Sequence, residues 1–207
     1  MNVFDKIASN WDEEPARVAL AHGVASAIAE NVPLNNSMKA LEYGCGTGLV
    51  TLEIARRVRE VLAADASEGM LSVLKEKIAR FGVKNIFPLF TDLTKTGPLD
   101  GGFDLIYTSM TLHHILDFAG MLKTFRCMLM PGGFMAIADL DLEDGSFHRN
   151  GAPIPAHNGF DRSEILTIMG SLGLKDLKAV TAHEMRRAAP DGSVRVYPVF
   201  LIVGVLA

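Results

Sequence analysis

Apolar and polar positions alternate along the first two thirds of the chain with two different periods. Five apolar runs have the length of buried β-strands: 39–43, 61–66, 85–92, 103–110 and 134–140. Helical spacing predicts amphipathic segments before, between and after these runs: 13–31, 48–59, 69–82, 118–129 and 162–172. Strands that alternate with helices predict a parallel sheet with right-handed crossovers.

The last part of the chain breaks this alternation. Two apolar stretches, about 174–187 and 195–206, follow one another with no helix between them. The segment that separates them contains Pro190, Asp191 and Gly192, which is a hairpin signal. We therefore predict an α/β fold: a doubly wound, mostly parallel seven-stranded sheet, Rossmann-like, that ends in an antiparallel hairpin.

The 207 residues suit one domain, because the sequence has no internal repeat, low-complexity tract or linker. We expect a single domain over 1–207 in three parts. Residues 1–37 form an N-terminal helical cap, 38–140 form the core that binds a ligand, and 141–207 hold a lid loop, a helix and the terminal hairpin.

Composition narrows the range of functions. The net charge is −4, which disfavours a large nucleic-acid footprint. The N-terminus has no basic segment followed by an apolar run, so we expect no signal peptide. The most apolar stretch, 196–207, is shorter than the roughly 20 residues of a membrane helix. We expect a cytoplasmic protein with no membrane span and no nucleic-acid partner.

Glycines are concentrated directly after the first predicted strand, in the segment ALEYGCGTGLVT. Gly44, Gly46 and Gly48 lie there within five residues, which indicates unusual backbone dihedrals or a ligand against the main chain. In doubly wound sheets, ligands bind at the carboxyl ends of the strands. The glycines lie at such an end and predict a binding site.

Three acidic residues belong to the same edge of the predicted sheet. Asp65 ends the second strand, where its carboxylate can accept both hydroxyls of a ribose. Asp92 ends the third strand and can meet an adenine amino group. Glu42 precedes the first glycine by two residues, and a carboxylate there suits an ammonium or sulfonium better than a pyrophosphate. Leu49 stands where the dinucleotide motif G-x-G-x-x-G has its third glycine.

At these residues the chain resembles the class I S-adenosylmethionine-dependent methyltransferases. The matching segments are LEYGCGTG, AADASEGML, FTDLT, FDLIYTSMTLHHILD and MLMPGGFMAIAD, and they cover about 38–140 in matching order and spacing. The segment FDKIASNWDEE resembles the opening of a small-molecule branch that includes quinone-biosynthesis enzymes. The chain departs from common family patterns at Glu42, where many members carry Asp, and at Met130, where Lys or Arg is frequent.

The resemblance implies a cofactor, S-adenosylmethionine, and a reaction, in-line displacement of its methyl group by a small-molecule acceptor. It also implies the residues that bind the cofactor. These are Glu42, Gly44, Gly46, Gly48, Asp65, Ala66, Met70, Asp92 and Leu93. Glu42 would balance the ammonium, the glycines would admit the methionine half, Asp65 would hold the ribose, and Asp92 with Leu93 would flank the adenine.

His113 and His114 follow the fourth predicted strand, where the family faces its acceptor. We predict that one of them is a catalytic base, since imidazole titrates near neutral pH. A structural interpretation stays open, in which one histidine is hydrogen-bonded inside the fold. The acids and histidines of the segment 141–161 match no ligand spacing, so we predict no metal site.

Two other functions stay open at this point. One is a protein that binds S-adenosylmethionine or S-adenosylhomocysteine without catalysis, because binding and catalytic residues are largely separate. The other is an NAD(P)-dependent oxidoreductase, which the glycine spacing disfavours. The segment TSMTLHH replaces the Asn/Asp-Pro-Pro-aromatic run of many amino-group methyltransferases, which favours a free small molecule as acceptor. A homodimer is compatible with the sequence.

Overall fold

The computed structural model describes residues 3–148, 154–188 and 193–207. The strands in these ranges are β1 Lys39–Tyr43, β2 Glu60–Asp65, β3 Ile86–Phe90, β4 Phe103–Ser109, β5 Leu129–Leu140, β6 Leu174–Ala188 and β7 Val194–Leu206. The α-helices are α1 Val3–Ile7, α2 Pro15–Asn31, α3 Leu49–Ala55, α4 Glu68–Phe81, α5 Leu93–Thr96, α6 Phe118–Met128 and α7 Arg162–Ser171. Short 3-10 turns lie at Ala8–Glu13 and Leu112–His114.

The strands of the described residues form one sheet of seven, in the order β3-β2-β1-β4-β5-β7-β6. The pairs among β1 to β5 are parallel, and β7 pairs antiparallel with both β5 and β6. The chain moves outward from β1 to β3 and then returns to place β4 on the other side of β1. Strand order therefore reverses between β1 and β4, which is where such sheets bind ligands. The predicted fold is confirmed.

Helices cover both faces of the sheet because neighbouring strand residues point to opposite sides. On one face Ala40 of β1 packs with Val24 of α2 and Ile54 of α3 in one buried cluster. On the other face Leu41 packs with Phe125 of α6 in a second cluster. This is the two-sided arrangement of a doubly wound sheet.

The predicted end of α3 and the predicted start of β5 were wrong. Helix α3 ends at Ala55, and residues 56–59 form a turn into β2 instead of continuing the helix. Strand β5 begins at Leu129, although Pro131 and the two glycines after it predicted a turn before the strand. The register shifts here: Phe103 pairs with Leu129, and Leu105 pairs with Phe134. The extra β5 residues bulge out of the ladder, where a proline costs no hydrogen bond.

The end of the third strand also differs from its prediction. Strand β3 ends at Phe90, so Asp92 lies two residues beyond it and caps α5 by accepting a hydrogen bond from the Thr94 N–H at 3.1 Å. Helix α5 has four residues, too few for a helical period to appear in the sequence. The hairpin tip predicted at Pro190, Asp191 and Gly192 falls outside the described residues. Within the described ranges, every helix is too short or too polar to cross a bilayer.

Candidate cofactor and acceptor site

A cavity of about 1270 Å³ opens where β1, β2 and β4 end. Ligand pockets in proteins usually measure about 300–1,000 Å³, so this one has room for a cofactor and a second small molecule. The predicted site residues on its wall are Glu42, Gly44, Gly46, Asp65, Ala66, Met70, Asp92, Leu93, His113 and His114. The fold thus brings nearly the whole predicted set into one space.

The glycine turn presents bare backbone to this cavity. Gly46 has φ +54°, and a Cβ added to it would meet no atom closer than the Met70 sulfur at 4.0 Å. Its missing side chain therefore leaves open space on the cavity side. Gly48 has a different role, because it is absent from the cavity wall and a Cβ there would overlap Leu74 of α4. Helix packing therefore already requires that glycine, and its predicted contact with the cofactor stays a prediction.

Asp65 is held in place by the main chain at the end of β2. Its Oδ2 accepts a hydrogen bond from the Gly46 N–H at 2.7 Å, and its Oδ1 accepts one from the Ser67 N–H at 2.8 Å. Burial raises the pKa of Asp65, and these two N–H groups oppose that rise. A carboxylate oxygen can accept more than one bond, so both oxygens keep the capacity to accept ribose hydroxyls.

Glu42 is a carboxyl group buried at the switch point of the sheet. It is 2% exposed, yet it belongs to the cavity wall. Tyr107 lies opposite it in the β1–β4 register, and its hydroxyl donates to Oε2 at 2.9 Å. Thr51 of α3 donates to the same oxygen at 2.5 Å. Burial raises the pKa of Glu42 to about 8 against the effect of both hydrogen bonds. Without a ligand, the group is mostly protonated at neutral pH.

The N-terminal segment covers this end of the cavity. Asp5 of α1 accepts hydrogen bonds from the Ser67 hydroxyl at 2.6 Å and the Gly69 N–H at 3.0 Å. Asp12 accepts one from the Thr47 hydroxyl of the glycine turn at 2.6 Å and is ion-paired with Lys77. Phe4, Ile7 and Trp11 thereby become part of the cavity wall. The predicted cap is present and is fastened to the glycine turn and to α4.

The predicted catalytic histidines lie in the 3-10 turn after β4. His113 is 1% exposed, and its Nδ1 is 2.6 Å from Oδ1 of the fully buried Asp139 in β5. The His113 N–H also donates to Asp139 Oδ2 at 3.3 Å. This pairing fixes the ring, and because Nδ1 is engaged, Nε2 is the nitrogen left for a ligand. His114 lies beside it, with 4.1 Å between the ring centroids.

A third histidine reaches the same place from the loop after β5. The ring centroid of His148 is 4.9 Å from that of His113 and 5.5 Å from that of His114. Burial lowers the pKa of His114 to about 3 and that of His148 to about 4. An imidazole with so low a pKa is a weak base, so His114 suits proton transfer poorly. The contact of His113 with Asp139 is a geometry that can stabilise an imidazolium.

The loop that carries His148 is held by contacts with the last two strands, β6 and β7. The Ser146 hydroxyl is 2.7 Å from the Tyr197 hydroxyl of β7. Arg187 of β6 donates to the Phe147 carbonyl at 2.5 Å and stacks over the Phe147 ring at 3.9 Å. These contacts hold His148 against the cavity. The sequence analysis did not include His148 or Asp139 among the site residues. Asp139 could have been included, because it lies near the carboxyl end of the fifth predicted strand.

Comparison with known proteins agrees with this geometry. Residues 40–133 match the family model described as a methyltransferase domain. Over these residues the chain is similar to methyltransferase domains, which supports the resemblance to the class I S-adenosylmethionine-dependent methyltransferases. The matched residues extend from β1 to the bulge of β5 and include the glycine turn, Asp65, Asp92, His113 and His114.

Individual relatives are named as methyltransferases, and a solved methyltransferase structure shares the fold. An uncharacterised methyltransferase of Schizosaccharomyces pombe is 26% identical over 160 residues, which are 70% of this chain and 56% of that protein. The ubiquinone biosynthesis O-methyltransferase of Marinobacter nauticus is 29% identical over 150 residues, 70% of this chain and 63% of that protein. The chain therefore spans less than two thirds of either relative's length. Magnesium protoporphyrin IX methyltransferase from Synechocystis PCC 6803, solved with bound S-adenosylmethionine, has a TM-score of 0.65 at 16% identity, with 93% and 80% of the two chains covered.

Proposed function

We propose that the protein methylates a small-molecule acceptor with S-adenosylmethionine as the methyl donor. One observation carries the proposal: a single cavity joins the bare Gly46 and the strand-end Asp65 to the buried pair of His113 and Asp139. The first pair suits a nucleoside, and the second suits proton transfer. A methyltransferase needs both functions within reach of each other.

The residues at the cofactor end fit S-adenosylmethionine. Asp65 offers two oriented acceptors for ribose hydroxyls, and Asp92 lies next to Leu93 on the same wall for the adenine. Glu42 offers a carboxyl group for the ammonium, which stabilises its ionised form. Gly46 leaves the space that a side chain would fill. When bound there, S-adenosylmethionine supplies a methyl group activated by its sulfonium.

The protein's own contribution is alignment, exclusion of water and movement of one proton. Phe4 and Trp11 close the cavity from the N-terminal side, which limits water at the reacting atoms. His113 accepts the proton of an acceptor hydroxyl or amine at Nε2. Asp139, at 2.6 Å from Nδ1, stabilises the resulting imidazolium. His113 thus has the main catalytic role, and His114 shapes the space beside it.

A small acceptor suits the enclosure. The walls include Phe4 and Trp11 of the N-terminal cap and Phe147 and His148 of the loop after β5, so the acceptor end lies between these two segments. The net charge of −4 disfavours a polyanionic substrate. The relative from Marinobacter nauticus is named for ubiquinone biosynthesis and for O-methylation, which supports a small acceptor that carries a hydroxyl.

Two variants separate cofactor binding from catalysis. Asp65→Ala should weaken S-adenosylmethionine binding, whereas Asp139→Asn should leave it within about twofold and lower turnover on a panel of phenols and hydroxy acids by roughly 10²-fold or more. Asp176→Asn is the matched control, because Asp176 is exposed and its φ of +50° suits asparagine. Full turnover by Asp139→Asn would show that the His113–Asp139 pair has no role in proton transfer.

The experiment also tests the non-catalytic alternative. Selective binding of S-adenosylmethionine and S-adenosylhomocysteine, without S-adenosylhomocysteine formation on any acceptor, would favour a binding protein. Binding of NAD or NADP alone would favour the oxidoreductase, which the similarity to methyltransferase domains disfavours. The buried His113–Asp139 pair favours catalysis over binding, because a pure binding protein has no need of it.

A further inference from the structure

Three histidines from two separate segments converge on the acceptor end of the cavity. His113 and His114 come from the turn after β4, and His148 comes from the loop after β5. All three line the cavity, and each offers a ring nitrogen within 4.8 Å of those of the other two. Within the described part of the chain, this is the cluster of histidines, cysteines and acids whose ligand atoms lie close enough to share an ion.

One member of the cluster is oriented as metal-binding histidines usually are. A metal-binding imidazole commonly donates its other N–H to a carboxylate, which fixes the tautomer and the ring plane. His113 has this arrangement, with Nδ1 at 2.6 Å from Asp139 and Nε2 left for a ligand. Asp139 is fully buried, so the pairing is rigid.

A second member has a ring nitrogen without a partner. The Nδ1 atom of His148 is buried and has no hydrogen-bond partner among the residues that the structure describes. A buried polar atom without a partner costs free energy, and most such atoms in proteins are paired. The fastening of Phe147 to Arg187 keeps the His148 ring in this position although it leaves that nitrogen unpaired. The arrangement is explained if a ligand satisfies the cluster.

We propose that His113, His114 and His148 bind one divalent transition-metal ion, of which Zn²⁺ is the best match, at the acceptor end of the cavity. Imidazole suits Zn²⁺, Co²⁺ and Ni²⁺, and three protein ligands with one open position are the pattern of catalytic zinc. Nitrogens bound tetrahedrally at 2.0–2.1 Å are roughly 3.4 Å apart, so the rings must move together by about an ångström. This proposal replaces the sequence-based expectation of no metal site.

The ion would also define the acceptor more closely, and this part rests on the proposed function. Because the three histidines line the cavity, an open position on the ion could take an acceptor oxygen and would favour its ionised form. Nε2 of His113 cannot bind the ion and accept a proton at the same time, so the base role proposed for His113 applies to the metal-free protein. The positively charged Arg187 lines the same cavity, so the loaded site would favour an anionic oxygen such as a phenolate or carboxylate.

Direct metal binding is the test. Zn²⁺ is titrated into chelator-treated, tag-free full-length protein against a chromophoric chelator, and Co²⁺ is added separately to record its visible absorption. We expect one ion per chain and a Co²⁺ spectrum of nitrogen and oxygen ligands without a thiolate band. His148→Ala and His114→Ala should each weaken binding at least tenfold, and Asp139→Asn should weaken it about 10–100-fold.

The control is His22→Ala, because His22 lies on α2 beside Glu53 of α3, outside the cluster. Its metal affinity should equal that of the unaltered protein. His148→Ala changes a loop residue, so its thermal unfolding should stay cooperative and its S-adenosylmethionine affinity should stay unchanged. Zn²⁺ binding that is no tighter in the unaltered protein than in His148→Ala, or Co²⁺ absorption with a thiolate band, would overturn the proposal.

Failure of the metal site and failure of the proposed function remain distinguishable. If the unaltered protein binds one Zn²⁺ per chain but does not bind S-adenosylmethionine, the methyltransferase function is refuted and the metal site is supported. Intact S-adenosylmethionine binding and turnover, with no Zn²⁺ or Co²⁺ bound at the histidines, would refute the metal site and leave the base role of His113 in place.

Discussion

Replacement of Glu42 by glutamine should stabilise the ligand-free protein and weaken its affinity for the cofactor. Glutamine reproduces the shape of the protonated acid. Its carbonyl oxygen can accept the bonds from Tyr107 and Thr51, and its NH₂ group takes the position of the acid's other oxygen. The variant therefore keeps the hydrogen bonds and removes the possibility of a buried negative charge.

The size of the stability effect follows from the pKa of Glu42, which burial raises from 4.5 to about 8. Between these two values the folded protein keeps a proton that the unfolded chain has lost. The free energy of unfolding therefore falls as pH rises, by about 1.4 kcal/mol per pH unit, and levels off above the folded pKa. From about pH 5 to pH 8 this amounts to roughly 3–4 kcal/mol. The stabilisation that Glu42 contributes is therefore complete only below the pKa of 4.5 that this group has in the unfolded chain.

Urea unfolding of both proteins across this pH range, without cofactor, measures the effect. The difference between Glu42→Gln and the unaltered protein should grow steadily from about pH 5 to pH 8, because other titrating groups are shared and cancel. Calorimetry of S-adenosylmethionine binding should show the opposite sign, with weaker binding by the variant. In buffers of different ionisation enthalpy, the unaltered protein should release close to one proton on binding near neutral pH, and the variant should release none.

Two results would refute this reasoning. Parallel stability curves would mean that Glu42 ionises in the folded protein as readily as in the unfolded chain. Equal S-adenosylmethionine affinity in both proteins would mean that Glu42 does not face the ammonium. A conservative exchange at another buried polar position, Thr108→Ser, is the control, since Thr108 also bonds across β1 and β4 but carries no charge.

Other predictions concern the cofactor end of the cavity. Asp65→Ala should weaken S-adenosylmethionine binding by about 1–3 kcal/mol, measured by calorimetry, and unchanged affinity would remove Asp65 from the site. Gly46→Ala should weaken cofactor binding, because the added methyl group points into the cavity, and its cost in stability should come only from backbone strain at φ +54°. Gly48→Ala should mainly lower stability, with a loss of about 1–3 kcal/mol in unfolding free energy from overlap with Leu74. Equal losses of S-adenosylmethionine affinity in Gly46→Ala and Gly48→Ala would contradict the separate roles of these glycines.

Local signals in the sequence were enough to predict the sheet and to predict which residues gather at its carboxyl edge. The glycine turn follows β1 directly and Asp65 is the last residue of β2, so their place at the carboxyl edge depends only on the strands being parallel. Gly46 and Gly48 could not be told apart, because each has positive φ and only the tertiary packing shows that Leu74 occupies the space above the second one.

The acceptor end could not be predicted to the same extent. His113 and Asp139 are 26 residues apart, and their contact depends on the side-by-side pairing of β4 and β5. His148 reaches the cavity through a loop with no periodic pattern, and its position depends on contacts of Ser146 and Phe147 with β6 and β7. Such contacts depend on the tertiary structure, and no spacing of residues in the sequence predicts them.

The position of β7 has a consequence for assembly of the sheet. Strand β7 follows β6 in the chain, yet it lies between β5 and β6. As the chain emerges during synthesis, β6 therefore has no neighbour in the sheet until β7 has formed. Until then β5, the strand that carries Asp139, is an open edge able to pair with another chain. A stop codon before Val194 would cost the protein two strands of its sheet instead of one, and would leave the proposed catalytic carboxylate on an unprotected edge.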